Sequence, residues 1–199
     1  MKPAGIVTVL GVLAAVLMPA NAQDRKPRYA AEGTDFVIEN GKSFFNRPLY
    51  GGNTGFRIEA GDRPEYAFHF PGRAGNVRIG LLAKDGGKGI WAFDAKSVVA
   101  RYRPGSMIHE IRDPLLGKGV LTLSAIPAAK GEGFALRADL SAEAQPVRLV
   151  WSFGGSDGNK GRRNGDLNAE SEPLDLFFAF KPERAKGSRF DLRQDGFTF

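Results

Sequence analysis

The stretch "TGFRIEAGDRPEYAFHFPG", Thr54 to Gly72, decides the fold. Polar and apolar residues alternate through Phe56, Arg57, Ile58 and Glu59, which places Phe56 and Ile58 on one face of a strand near Gly55 to Ala60. Gly61-Asp62-Arg63-Pro64 supplies the turn, and a second strand over Glu65 to Phe70 sets Tyr66, Phe68 and Phe70 on one face. Upstream, "DFVIENGKSFFNRPL" holds Asn40-Gly41 between the strand-like runs Phe36 to Glu39 and Ser43 to Asn46. Asn-Gly favours the positive φ angles of a tight turn, so a hairpin is predicted there. Downstream the rhythm continues through "NVRIGLLA", "GIWAFD", "SVVARYRP", "MIHEIRDP", "VLTLSAIP", "FALRADL", "VRLVWSFGG", "LDLFFAFKP" and "RFDLRQDGFTF". No stretch has the periodicity of a long amphipathic helix. Short strands with turn signals at intervals of about eight to twelve residues predict an all-β fold, an antiparallel β-sandwich of supersandwich-like form. Apolar residues crowd "VRLVWSF" and "LFFAF" on both alternating faces, which predicts strands covered on both sides.

The ends frame that domain. "MKPAGIVTVLGVLAAVLMPANAQ" has a charged start at Lys2, an apolar run from Ala4 to Met18, and Ala20 and Ala22 at the A-x-A spacing. It reads as a signal peptide over residues 1–22, followed by a polar lead at 23–34 and one β-sandwich domain at 35–199. The apolar run is short of the roughly 20 residues that span a bilayer, and no later segment approaches that length, so no membrane span is expected. The expected location is periplasmic or secreted. The chain has no cysteine, which excludes disulfides, thiol catalysis and cysteine-based zinc sites. Its net charge of +6 is spread among interleaved acidic residues. Nucleic-acid binders instead concentrate Lys and Arg in a stripe, so no nucleic-acid partner is expected. The densest basic cluster, "KGRR" at Lys160 to Arg163, lies in a long polar segment from Gly154 to Pro173, a length of loop that in compact domains is functional or disordered.

Candidate chemistry is sparse. "LYGGNTG" resembles a phosphate loop in composition, but no Gly-Lys-Ser/Thr follows and the next element is a strand, whereas a phosphate cradle needs a helix N-terminus. Its glycines read as a backbone requirement at a corner between strands. Glu59, Asp62 and Glu65 surround one turn, and Glu59 and Glu65 could converge as a glycosidase pair, with Arg57 and Arg63 close enough to neutralise them. His69 and His109 stand in separate strands with no metal-ligand spacing. "DGNKGRRNGDLN" fails the EF-hand pattern, with Gly161 and Asn168 at ligand positions. No cofactor and no metal are expected. Trp91 and Trp151 could stack on sugar rings, although the setting of Trp151 favours the core.

"FNRPLYGGNTGFRIEAGD" (Phe45 to Asp62), "PGRAGNVRIGL" (Pro71 to Leu81), "WSFGG" and "RRNGD" carry a resemblance from about Tyr29 to the C-terminus. The chain resembles an uncharacterised bacterial family, a domain of unknown function at the start of large exported proteins from polysaccharide-degrading bacteria. The resemblance implies a β-sandwich that precedes an (α/α)6 barrel similar to that of several glycoside hydrolases, with the catalytic acids mainly in the barrel. The chain stops at Phe199 without that region, which reads as a truncated product, a separated subunit or a self-sufficient binding domain.

The function expected is therefore an exported, non-catalytic module of a carbohydrate-active system, with a poly- or oligosaccharide and a helical-barrel domain or subunit as partners. Contacts are expected from Asn53 and Arg57 near the glycine loop and from Arg162, Arg163 and Asn164 in the long loop, because amides and guanidinium groups suit sugar hydroxyls and uronate carboxylates. The alternative is a small glycoside hydrolase-like enzyme using Glu59 and Glu65.

Overall fold

Strand by strand, the alternation of side chains becomes two antiparallel sheets in the computed structural model, which describes residues 27–41, 46–70, 73–157, 186–187 and 189–198. In chain order the strands are β1 (Ala30–Glu32), β2 (Asp35–Glu39), β3 (Asn46–Leu49), β4 (Arg57–Gly61), β5 (Glu65–Phe70), β6 (Arg73–Ala83), β7 (Gly89–Trp91), β8 (Ser97–Arg103), β9 (Ser106–Arg112), β10 (Leu121–Pro127), β11 (Phe134–Leu140), β12 (Val147–Asp157), β13 (Asp191–Arg193) and β14 (Gly196–Thr198). Sheet I runs β1-β2-β8-β9-β10-β11, and sheet II runs β12-β6-β5-β4-β3 with β7 also paired to β6. β13 and β14 form a separate ribbon. The signal-peptide segment 1–22, most of the long polar loop and "LDLFFAFKP" lie outside the described residues.

The two sheets pack as a sandwich because each strand turns its apolar set inward. Ile58, Ala60, Tyr66, Ile79 and Leu81 from sheet II meet Val98, Met107, Ile111, Leu121 and Leu123 from sheet I in one buried cluster. Burying each large aliphatic side chain stabilises the fold by about 1.5–3 kcal/mol, so this seam dominates cohesion. A polar bolt crosses it. The Tyr66 hydroxyl lies 2.8 Å from His109 Nδ1, and His109 Nε2 donates to the Gly61 carbonyl at 2.9 Å. Both side chains are fully buried; burial holds the imidazole down at about 4 and raises the pKa of the phenol. His109 is thus a neutral strut between sheets.

Two expectations change. Asn40-Gly41 does not close a hairpin: β2 pairs with β1 and β8 in sheet I, while β3 pairs with β4 in sheet II. Asn40 does adopt a positive φ of 48°, but its backbone N–H donates to the Val98 carbonyl and its side-chain oxygen accepts from Val98 N–H. The local conformation is the one Asn-Gly favours, yet the non-local pairing with β8 takes the chain out of the sheet instead of back along it. The hairpin forms one turn earlier, between β1 and β2, within what reads from sequence as a polar lead. The second change concerns double burial. Leu149 and Trp151 of β12 are 45% and 54% exposed, so "VRLVWSF" is not covered on both sides and Trp151 is not a core residue. Full burial on both faces falls instead on β4, whose five residues are all buried.

Candidate functional site

The outer face of sheet II carries the unusual chemistry. Register places Arg57 opposite His69, Glu59 opposite Ala67, Glu65 opposite Arg78, and Asn76 between Ala67 and Gly154. All these side chains point away from the sandwich seam, because their strand neighbours Ile58, Tyr66 and Val77 point into it. Yet Arg57, Glu59, Glu65, His69 and Asn76 are buried.

Pairing makes the burial of the titratable groups tolerable. Arg57 Nε donates to Glu59 Oε1 at 2.5 Å, and Arg57 Nη1 lies 3.2 Å from His69 Nδ1. A guanidinium only donates, so Nδ1 accepts and the His69 proton sits on Nε2. Arg78 Nε stands 3.3 Å from Glu65 Oε1. The sequence expectation that arginines neutralise the turn carboxylates holds for Arg57, whereas Arg63 turns away to Asp94 at 3.2 Å and Asp62 takes Arg28 and the Tyr29 hydroxyl. Burial, reinforced by Asp62, pushes the Tyr29 hydroxyl above its ordinary pKa. Nearby, Arg47 packs its guanidinium 4.9 Å from the Tyr29 ring centroid and 4.5 Å from that of Tyr102.

Further along β6 the same face becomes aromatic. Arg78 lies 5.4 Å from the Phe93 ring centroid, and Phe93 stacks on Trp91 with centroids 6.3 Å apart and planes within 7°. Trp91 is 37% exposed. Opposite it in register is Gly80, where a Cβ would stand 2.9 Å from Val150 Cγ2 and 3.1 Å from Trp91 Cε3. The absent side chain floors an open cleft of about 210 Å³ lined by Gly80, Leu82, Gly89, Ile90, Trp91 and Val150. Sites that enclose a drug-sized ligand have volumes of about 300–1,000 Å³, so this cleft suits one face of one ring.

The expected contact residues separate. Asn53 is exposed in the loop between β3 and β4, Arg57 is buried in the charged cluster, and Arg162, Arg163 and Asn164 lie outside the described residues. The glycine loop itself is a corner: a Cβ on Gly51 would stand 1.9 Å from the Ala128 carbonyl oxygen, so the chain passes there only as glycine. Among the described residues, no group of three His, Asp or Glu side chains is arranged to hold a metal ion. Trp91 is a ring the sequence offers for stacking on a sugar, while Asn76, Arg78 and Gly80 are site residues it does not single out. Their period-two spacing on the otherwise apolar strand "NVRIGLL" is the signal that marks them.

A family model for a domain of unknown function, DUF4450, matches residues 70–199. The chain belongs to the DUF4450 family. The match takes in β6, β7 and β12, hence Asn76, Arg78, Trp91 and the cleft. The motif Phe45 to Asp62, which carries part of the resemblance seen in the sequence, lies before the DUF4450 match. No curated protein and no solved structure matches the chain.

Proposed function

We propose that this DUF4450 chain is an exported, non-catalytic β-sandwich module of a carbohydrate-active system that binds a poly- or oligosaccharide on the outer face of sheet II. The observation that carries the reading is the exposed Trp91 ring, stacked on Phe93 above a glycine-floored cleft and continuous with the Arg78–Glu65 pair. A pyranose has an apolar C–H face and a rim of hydroxyls. The first suits an aromatic plate and the second suits planar hydrogen-bonding side chains.

The resemblance to sandwiches that precede helical barrels supports a place beside such a barrel, on the same chain or as a separate subunit. The carboxylates Glu59 and Glu65 support the non-catalytic side of the reading. Each faces a guanidinium at 2.5 and 3.3 Å, and a general acid must hold a proton that such a neighbour disfavours.

The test is retention on immobilised polysaccharides, comparing the parent with Trp91→Ala. Retention by the parent and its loss in the variant, with unchanged thermal melting, is the expected result. Equal retention of both removes the site from the outer face of sheet II.

A further inference from the structure

We infer that the saccharide is acidic, with its ring on Trp91 and its anionic group, a carboxylate or a sulfate, on the guanidinium of Arg148. This rests on the binding reading above and narrows its ligand class.

The first observation is where Arg148 stands. It lies on β12 opposite Leu82 of β6, two residues before Val150, and both Leu82 and Val150 line the cleft. Side chains two apart on a strand share a face, so Arg148 projects with Val150 from the outer face of sheet II. Its Nη2 lies 3.0 Å from where a Cβ on Gly86 would stand, in the turn between β6 and β7. That turn follows directly on the pair Leu82 and Gly89, the last step of the β6-β7 ladder and one end of the cleft lining. The guanidinium therefore sits at the mouth of the cleft, reached across β6 from the strand opposite Trp91.

The second observation is which cations are engaged. Arg57 and Arg78 each face a buried carboxylate, at 2.5 and 3.3 Å. Arg148 is exposed, and among the described residues no hydrogen bond or ion pair engages it. Lys84 and Lys88 are exposed in the same turn as Gly86, and the one carboxylate of that turn, Asp85, accepts from the Gly87 N–H at 2.9 Å. Three cations and one carboxylate thus belong to this end of the cleft, in a chain whose net charge is +6. An anion is drawn there and not to the charge-paired end at Arg78.

The chemistry follows from the fork. A guanidinium offers two parallel N–H groups to two oxygens of one carboxylate or sulfate, and such charge-assisted bonds are roughly twice as strong as neutral ones. A cleft of about 210 Å³ takes one face of one ring, which leaves the substituents of that ring directed past Leu82 to Arg148. Stacking on Trp91 and pairing with Arg148 then act on a single acidic sugar.

The experiment measures retention of the full chain on immobilised polysaccharides at low and high salt: carboxylated (polygalacturonate, alginate), sulfated (κ-carrageenan) and neutral (xyloglucan, galactomannan, mixed-linkage β-glucan). Retention on an acidic polymer, weakened at high salt, is expected, and the carboxylated and sulfated arms show which anion is read. Arg148→Gln should weaken that retention about tenfold, while Arg148→Lys, which keeps the charge and loses the fork, should retain more. Lys130→Gln removes the same charge from the exposed connection between β10 and β11 and should leave retention unchanged. Melting curves check that each variant folds. Equal weakening by Arg148→Gln and Lys130→Gln reports the net charge of the chain and overturns the inference, as does acidic retention indifferent to Arg148→Gln in a folded variant. Retention on neutral polymers alone overturns the inference and leaves the binding reading standing. Retention on neither class overturns the binding reading itself.

Discussion

The two outer faces of the sandwich carry similar residue types and treat them oppositely. On sheet I, Arg103 forks onto Asp35 at 2.9 and 2.8 Å, Arg101 reaches Glu32 at 2.7 Å, and Arg137 pairs with Asp139 at 2.7 Å. The Arg103 hydrogen bond holds the Asp35 carboxyl below its usual range. Each of these pairs has at least one exposed member, Arg103, Glu32, Arg137 or Asp139, for which water and salt compete, so each is worth little, although Asp35 itself is buried. On sheet II, Arg57 and Glu59 are withdrawn from water, where a pair gains little net energy when intact but is costly to break. The lesson is that charge alternation on a strand does not say which regime applies; depth does.

Four experiments press on that difference. Arg57→Ala takes a guanidinium from the buried Glu59 carboxylate and a donor from His69 Nδ1, so it should cost about 3–5 kcal/mol in chemical denaturation. Arg57→Met with Glu59→Met should recover most of that loss, because it removes both charges together. A double variant no more stable than Arg57→Ala would mean that the pair is not the source of the cost.

Acid comes next. His109 titrates at about 4 in the fold against 6.5 outside it, so between these values the unfolded chain binds more protons. Stability should be fully present above pH 6.5 and fall as the pH drops toward 4. His109→Gln should flatten that limb in melts recorded across the window. A parent curve flat from 6.5 to 4 would contradict the buried neutral imidazole.

Gly80→Val is expected to cost about 1–3 kcal/mol by overpacking against Val150 and the Ile90 carbonyl, and to abolish retention on polysaccharide by filling the cleft. Retained binding would place the ligand elsewhere. The smallest effect belongs to sheet I. Arg103→Ala should move the melting temperature little, since the buried Asp35 carboxylate keeps Arg101 at 3.9 Å and the Thr34 hydroxyl at 3.3 Å. A loss comparable to that of Arg57→Ala would erase the contrast between the two faces.

Much of the fold is legible in the residues. The alternation in "RIEAGDRPEYAF" gives β4, the turn at Gly61 to Pro64 and β5, and sets Ile58, Ala60 and Tyr66 inward. The glycine loop reads correctly as a corner, with Gly51 pressed on Ala128. The candidate site is less legible. Arg57, Glu59 and Glu65 look like the solvated rim of a hairpin, because nothing local tells an exposed face from a covered one. Trp91 is legible as a ring that could stack on a sugar, but Trp151 looks like core and is exposed, because exposure depends on which strands flank β12 and β6. The Asn40-Gly41 misreading has the same origin: the turn conformation is local, but the partner strand is not.

By itself, then, the sequence determined the strands, most turns and the inward-facing set, since each follows from side-chain period and backbone preference within a few residues. Tertiary structure alone decided which sheet each strand joined, and that the outer face of sheet II would hold Arg57, Glu59 and Glu65 away from water beside an unpartnered Asn76 and an exposed Trp91. Those are properties of neighbours brought together from distant parts of the chain, and desolvation exists only once they meet.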